Sequence, residues 1–154
     1  MSPIMREAKI HIAASPDTVY AMVADVTRMG EWSPENLGGE WLDGATGPAA
    51  GARFKGKNKR KAGWSTKCTV TTAEPGREFA FSVGKDETTW RYQFDPAGDG
   101  TDVIESFEVV KVPGAIGRFL TKLGTGLPWS EREGDLVRGM EQTLANLKAA
   151  AEAS

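Results

Sequence analysis

Two residues late in the strand-rich part of this sequence could move a proton: Glu105 and Tyr92. Alternation puts Tyr92 on one side of its segment with Trp90 and Phe94, opposite Thr89, Arg91 and Gln93. Glu105 shares a side with Val103, Phe107 and Val109, and the opposite side carries Ile104, Ser106, Glu108 and Val110. Taking the Phe107 side as inward buries Glu105. A carboxyl removed from water favours its acid form and can donate a proton or hold a polar ligand head. The other register leaves Glu105 at a rim, in water, and sequence alone keeps both readings open.

Other chemistries find less support. Cys68 is the only cysteine and His11 the only histidine. Cys68 is expected inward as a small core residue, and His11 falls on the outward face of the first strand, so no thiol–imidazole dyad is expected. One cysteine excludes an internal disulfide, and the pair is too few for a zinc or iron site. No metal and no cofactor are expected. The stretch GARFKGKN (51–58) approaches a phosphate-binding loop, but Asn58 stands where Ser or Thr is needed, and the stretch alternates as a strand. The basic run Arg53, Lys55, Lys57, Lys59, Arg60 and Lys61 reads as the solvated face of a hairpin.

The elements that must hold Glu105 and Tyr92 follow from periodicity. Ala8, Ile10 and Ile12 alternate with Lys9 and His11, a half-buried strand. Ser15-Pro16-Asp17 then starts a helix: Ser15 caps, Pro16 suits the first position, and Asp17 favours the positive end. A second short helix is predicted from a Thr27 cap towards Trp32. Six strands are predicted at 37–42, 52–61, 64–73, 78–84, 87–95 and 102–110. Their turns lie at Asp43-Gly44, Pro75-Gly76, Gly84-Lys85-Asp86 and 95–100. Short turns imply an antiparallel meander. Between Pro113 and Pro128, Ile116, Phe119, Leu120 and Leu123 mark a short amphipathic helix. Ser130-Glu131-Arg132-Glu133 has the form of a capping box, and Leu136, Val137, Met140, Leu144 and Leu147 then line one helix face.

Strand parity gathers Phe54, Gly56 and Asn58, then Trp64, Thr66, Cys68 and Val70, then Phe79, Phe81 and Val83 on the inward side. This aromatic set is either a packed core or the wall of a cavity. Its large rings, the glycine at 56 and the polar Asn58, Thr66 and Tyr92 suit a cavity, because a buried amide or hydroxyl needs a partner, a water or a ligand. The expected lining is Phe54, Asn58, Trp64, Thr66, Cys68, Phe81, Trp90, Tyr92, Glu105, Phe107 and Met140. Phe119 and Leu123 are expected to close the entrance, with glycines at 114, 117, 124 and 126 letting that segment move.

At 154 residues, with 40% hydrophobic and 26% charged residues, the chain suits one soluble domain over 1–154. A formal net charge of −2 provides no overall field to attract nucleic acid. No segment reads as a signal peptide or membrane span, so a cytoplasmic protein without stable membrane insertion, monomeric or weakly dimeric, is expected.

The sequence resembles the START-like, or SRPBCC, superfamily, whose helix-grip fold is shared with the birch pollen allergen and polyketide cyclases. The resemblance rests on Ala14-Ser15-Pro16-Asp17-Thr18-Val19-Tyr20, Asp25, Trp32-Ser33-Pro34, GARFKGKN, Trp90-Arg91-Tyr92, Gly100-Thr101 and Gly139-Met140-Glu141-Gln142-Thr143-Leu144. It implies an α+β fold: a curved seven-stranded antiparallel sheet wrapping a long C-terminal helix, with two short helices after the first strand. It also implies an internal cavity for a small hydrophobic ligand such as a lipid, sterol or polyketide. The expected function is binding or transport of that ligand. The alternative is a cyclase or dehydratase in which Glu105 or Tyr92 transfers a proton. A third class, an interaction module using the basic hairpin, is also left open.

Overall fold

Alternating apolar residues dominate the chain between residues 4 and 110, and they form a single antiparallel sheet. The computed structural model describes residues 4–85, 88–110 and 114–153. The strands are β1 (Ile4–Ile12), β2 (Asn36–Trp41), β3 (Arg53–Lys59), β4 (Gly63–Glu74), β5 (Glu78–Val83), β6 (Thr88–Ala97) and β7 (Gly100–Val109). Their order across the sheet is β1-β7-β6-β5-β4-β3-β2. The expected meander is therefore present, closed off by the first strand alongside the last. The predicted turn residue Asp86, the strand start at 87 and Pro113 lie outside the described residues.

Helix α1 (Pro16–Ala24) begins as its residues dictate. The Ser15 hydroxyl accepts from the Thr18 amide at 3.2 Å, satisfying one of the amides that a helix start leaves unpaired. Ser15→Ala is expected to cost about 1 kcal/mol of stability, read as a lower urea midpoint with an unchanged denaturant slope. The next turn is a 3₁₀ helix, Val26–Glu31, and its cap is Asp25 rather than Thr27. The Asp25 carboxylate accepts from the Thr27 amide at 3.2 Å and its hydroxyl at 2.6 Å. Thr27 is thus the capped residue, because the carboxylate two positions earlier outcompetes its hydroxyl as acceptor.

Two helices close the chain: α2 (Ala115–Thr125) and the 25-residue α3 (Trp129–Ala153). The capping box is overturned: α3 starts one residue before Ser130, which is helical, and Glu133 pairs instead with Arg6 at 2.5 Å. The buried stripe of α3 is Met140, Leu144, Leu147 and Ala151, at helical spacing. It packs against β1 and β7. Beneath it, Phe54 stacks edge-on to Phe81 with ring centres 5.1 Å apart, and Tyr20 of α1 meets Phe94 at 5.8 Å. The fold is the helix grip expected from the sequence.

Candidate functional site

The inward faces of the strands and the α3 stripe do not meet everywhere. A cavity of about 330 Å³ remains between them. Apolar side chains form most of its wall, with Phe54 and Phe81 from β3 and β5, Trp64 from β4, Trp90 from β6, and Met140 from α3. Cys68 also lines it. Burial pushes that thiol up to about 11, so it stays protonated and unreactive at neutral pH.

At the buried end, parity produces a pair. β6 and β7 set Tyr92 directly opposite Glu105, so the two side chains leave the sheet together on the cavity side. Both are buried, with Glu105 only 3% exposed. The Tyr92 hydroxyl donates to Glu105 Oε2 at 2.8 Å. Glu105 Oε1 is buried and has no partner among the described residues. Burial raises the Glu105 carboxyl to about 8, against the opposing pull of the Tyr92 bond. Tyr92 is raised well above its ordinary value by burial first and by the neighbouring carboxyl second. At neutral pH Glu105 is therefore mostly the neutral acid: Oε2 accepts from Tyr92, and Oε1 is left with a proton and nothing to give it to. Of the two registers open from the sequence, the buried one holds.

A second polar group runs along the wall from β2 to β4. Asn36 Nδ2 donates to Asn58 Oδ1 at 3.2 Å, and Asn58 Nδ2 reaches Thr66 Oγ1 at 3.5 Å. Gly56 lies beside them, and a Cβ there would sit 3.2 Å from Thr66 Oγ1 and 3.5 Å from Asn36 Nδ2. Glycine thus keeps the amide ladder open to the cavity, which accounts for a residue that otherwise weakens a strand.

A third group is ionic and stands where the lining is most exposed, at Pro34 and Arg60. Arg132 of α3 grips Glu35 through two bonds, Nη1 to Oε1 at 2.7 Å and Nη2 to Oε2 at 2.9 Å. It also donates to Asp135, which takes Arg60 Nη1 at 2.9 and 3.1 Å. Burial opposes the Arg132 charge and raises Asp135, but the bonds within the cluster outweigh it and hold both groups ionised. Sequence reasoning missed Glu35, Asn36, Arg132 and Asp135. The i, i+3 spacing of Arg132 and Asp135 was a usable signal that they share a helix face, hidden by the capping-box reading.

Of the expected lining, Phe54, Asn58, Trp64, Thr66, Cys68, Phe81, Trp90, Tyr92, Glu105 and Met140 face the cavity. Three residues lie elsewhere. Phe107 is buried behind the wall, its ring 5.3 Å from that of Trp90. Phe119 and Leu123 are 64% and 57% exposed and do not line the cavity. Thr121 of the same helix touches the cavity instead, and Gly124 packs on the Trp64 ring. His11 is on the outer side, bonded to Asp102 and Asp99 at 2.9 Å each. Among the described residues no cluster of ligating side chains could hold a metal, and no helix is long and apolar enough to cross a membrane.

Residues 6–152 match a protein family described as polyketide cyclase / dehydrase and lipid transport. No curated protein matches this sequence. Among solved structures, the Polyketide_cyc-like protein Cgl2372 of Corynebacterium glutamicum is 31% identical, with 98% of this chain and 93% of that one covered and a TM-score of 0.61. The KanY protein (ms6282) is 23% identical over 99% of both chains, with a TM-score of 0.69. The di-domain ARO/CYC protein StfQ of the steffimycin biosynthetic pathway has a TM-score of 0.75 at 16% identity, and this chain spans about half its length, 51%.

Proposed function

Since this chain belongs to the polyketide cyclase / dehydrase and lipid transport family, we propose that its cavity binds a mostly apolar small molecule that presents a carbonyl oxygen to Glu105. The supporting observation is the unpartnered Oε1 of a buried, protonated carboxyl lining an otherwise aromatic cavity. An unsatisfied buried donor costs roughly 1–3 kcal/mol, and a ligand acceptor removes that cost. The volume, about 330 Å³, stands at the small end of ligand pockets, which run from about 300 to 1,000 Å³. The aromatic walls suit a flat ring system, and the Asn36–Asn58–Thr66 ladder suits a second polar group away from the first.

The acid form of Glu105 favours a second reading. A proton held at Oε1 can be passed to a substrate carbonyl oxygen, which makes the carbonyl carbon easier to attack and the carbon next to it easier to deprotonate, as cyclisation and dehydration require. The two readings share one site and differ in whether the bound molecule changes.

Trp32, Trp64 and Trp90 line the cavity, so binding is readable by tryptophan fluorescence. Anthrone and its hydrocarbon counterpart 9,10-dihydroanthracene differ by one carbonyl. Wild-type protein is expected to bind anthrone roughly tenfold more tightly, the value of one neutral hydrogen bond, and Glu105→Leu to bind both equally. Equal binding by the wild type, or no binding of either, would sink the proposal. Glu105→Gln separates the readings once a substrate is in hand: a carrier keeps its function, while an acid catalyst keeps binding and loses turnover.

A further inference from the structure

Helix α2 is amphipathic in the wrong sense for a protein of this kind. Its protein-facing side is small and polar: Thr125 is buried, Gly117 and Gly124 are half-buried, and Thr121 reaches the cavity. Its opposite side is a continuous apolar stripe at i, i+3, i+4 and i+7. Ile116 is 79% exposed, Phe119 64%, Leu120 56% and Leu123 57%. Four large apolar side chains on one helix face form the kind of patch that marks an interaction surface.

The flank of that stripe is basic. Lys122 is exposed on α2 itself. The β3–β4 turn is tied to the end of α2 by the Ala62 amide, which donates to the Gly124 carbonyl at 2.9 Å. That bond brings Lys61 against Gly126. Lys61 and Lys122 are both exposed, and neither forms an ion pair among the described residues. In a chain of net charge −2 this is a local concentration of positive charge, not a general one.

We propose that α2 docks the protein onto an anionic lipid surface. The apolar stripe enters the headgroup–acyl boundary, and Lys122 of α2 and Lys61 of the β3–β4 turn meet the lipid charges. A lone apolar stripe would fit a second copy of the chain equally well. The lysine flank decides against that, since two copies would bring like charges together while an anionic bilayer complements them. The position of the stripe carries a consequence: the helix that meets the lipid also supplies Thr121 to the cavity wall, so a molecule leaving the bilayer has a short path inside. Docking of this type is peripheral and needs no spanning segment.

Flotation of the full chain with vesicles tests the proposal directly and independently of any ligand. With phosphatidylcholine containing a quarter phosphatidylglycerol, the protein is expected to float with the vesicles at low salt. Pure phosphatidylcholine should hold it at least about tenfold less well. Phe119→Asp with Leu123→Asp should abolish flotation while leaving the circular dichroism spectrum and urea midpoint unchanged, because both side chains already face water. Lys61→Glu with Lys122→Glu should lower binding to the anionic vesicles by about tenfold or more. Equal binding by the Asp variants, no flotation with either vesicle, or a concentration-dependent dimer that the Asp substitutions dissolve would overturn the proposal.

Discussion

Replacing Glu105 with Gln is expected to remove a loss of stability that the wild-type protein suffers as pH rises from about 4.5 to about 8. The sign follows from where the proton sits. Below the lower value the carboxyl is protonated in both folded and unfolded chains, and pH has no effect through this group. Between the two values the unfolded chain releases the proton while the folded chain, with Glu105 buried, keeps it. The unfolded state then binds fewer protons, so stability falls with rising pH. Above about 8 both states are ionised and the curve is flat again. At roughly 1.4 kcal/mol per pH unit the ceiling of the effect is on the order of 5 kcal/mol. Gln cannot ionise, and its amide oxygen can still accept from Tyr92. His11, raised by its bonds to Asp102 and Asp99, titrates in both proteins and cancels in the comparison. Urea midpoints at pH 4, 6 and 8.5 should therefore converge at the acid end and separate in favour of the Gln variant at the alkaline end. Parallel curves would show that Glu105 is solvated in the folded protein, and the functional reading built on it would fall too.

That Glu105 could be singled out from sequence at all rests on the strict period of a strand. Once Phe107 is taken as inward, Glu105 must share its side, and Tyr92 must share the side of Trp90 and Phe94. Parity carries no information on depth along the strand, however. Phe107 leaves the sheet on the cavity side, as expected, yet lies beyond the cavity behind Trp90. Helical periodicity has a similar blind spot. The spacing of Ile116, Phe119, Leu120 and Leu123 establishes that they form one face of a helix. Apolar faces usually turn inward, and here the glycines and threonines of α2 do so instead, because Gly124 must fit against the Trp64 ring. The link from Glu35 to the Arg132–Asp135 face of α3 was out of reach for a different reason. Glu35 and Arg132 are 97 residues apart, and neither sits in a pattern that implies the other. Only the sheet order, which brings the start of β2 towards the first turns of α3, makes them neighbours.

That cluster yields the second large effect. Arg132 is 9% exposed and holds Glu35 by a two-bond fork while also bonding Asp135. Replacing it with Met keeps the aliphatic stem but leaves Glu35 facing only Arg60, at 3.8 Å, and Asp135 with Arg60 alone. Breaking a buried ion pair by removing one partner costs about 3–5 kcal/mol, most of it from the charge left behind. Arg60 remains partly exposed and compensates in part, so a value near 3 kcal/mol is expected from urea denaturation. The same argument makes a sharper statement about the double variant. Adding Glu35→Leu to Arg132→Met removes the stranded carboxylate and should recover much of the loss, giving a coupling of at least about 1 kcal/mol in a double-mutant cycle. Additive losses would mean that Glu35 and Arg132 are each solvated and the fork contributes nothing. Recovery would mean that the cluster acts as a unit pinning β2 to α3 beside the exposed end of the cavity. The single Arg132→Met variant, with that pin broken, should then release a bound ligand faster than the wild type does.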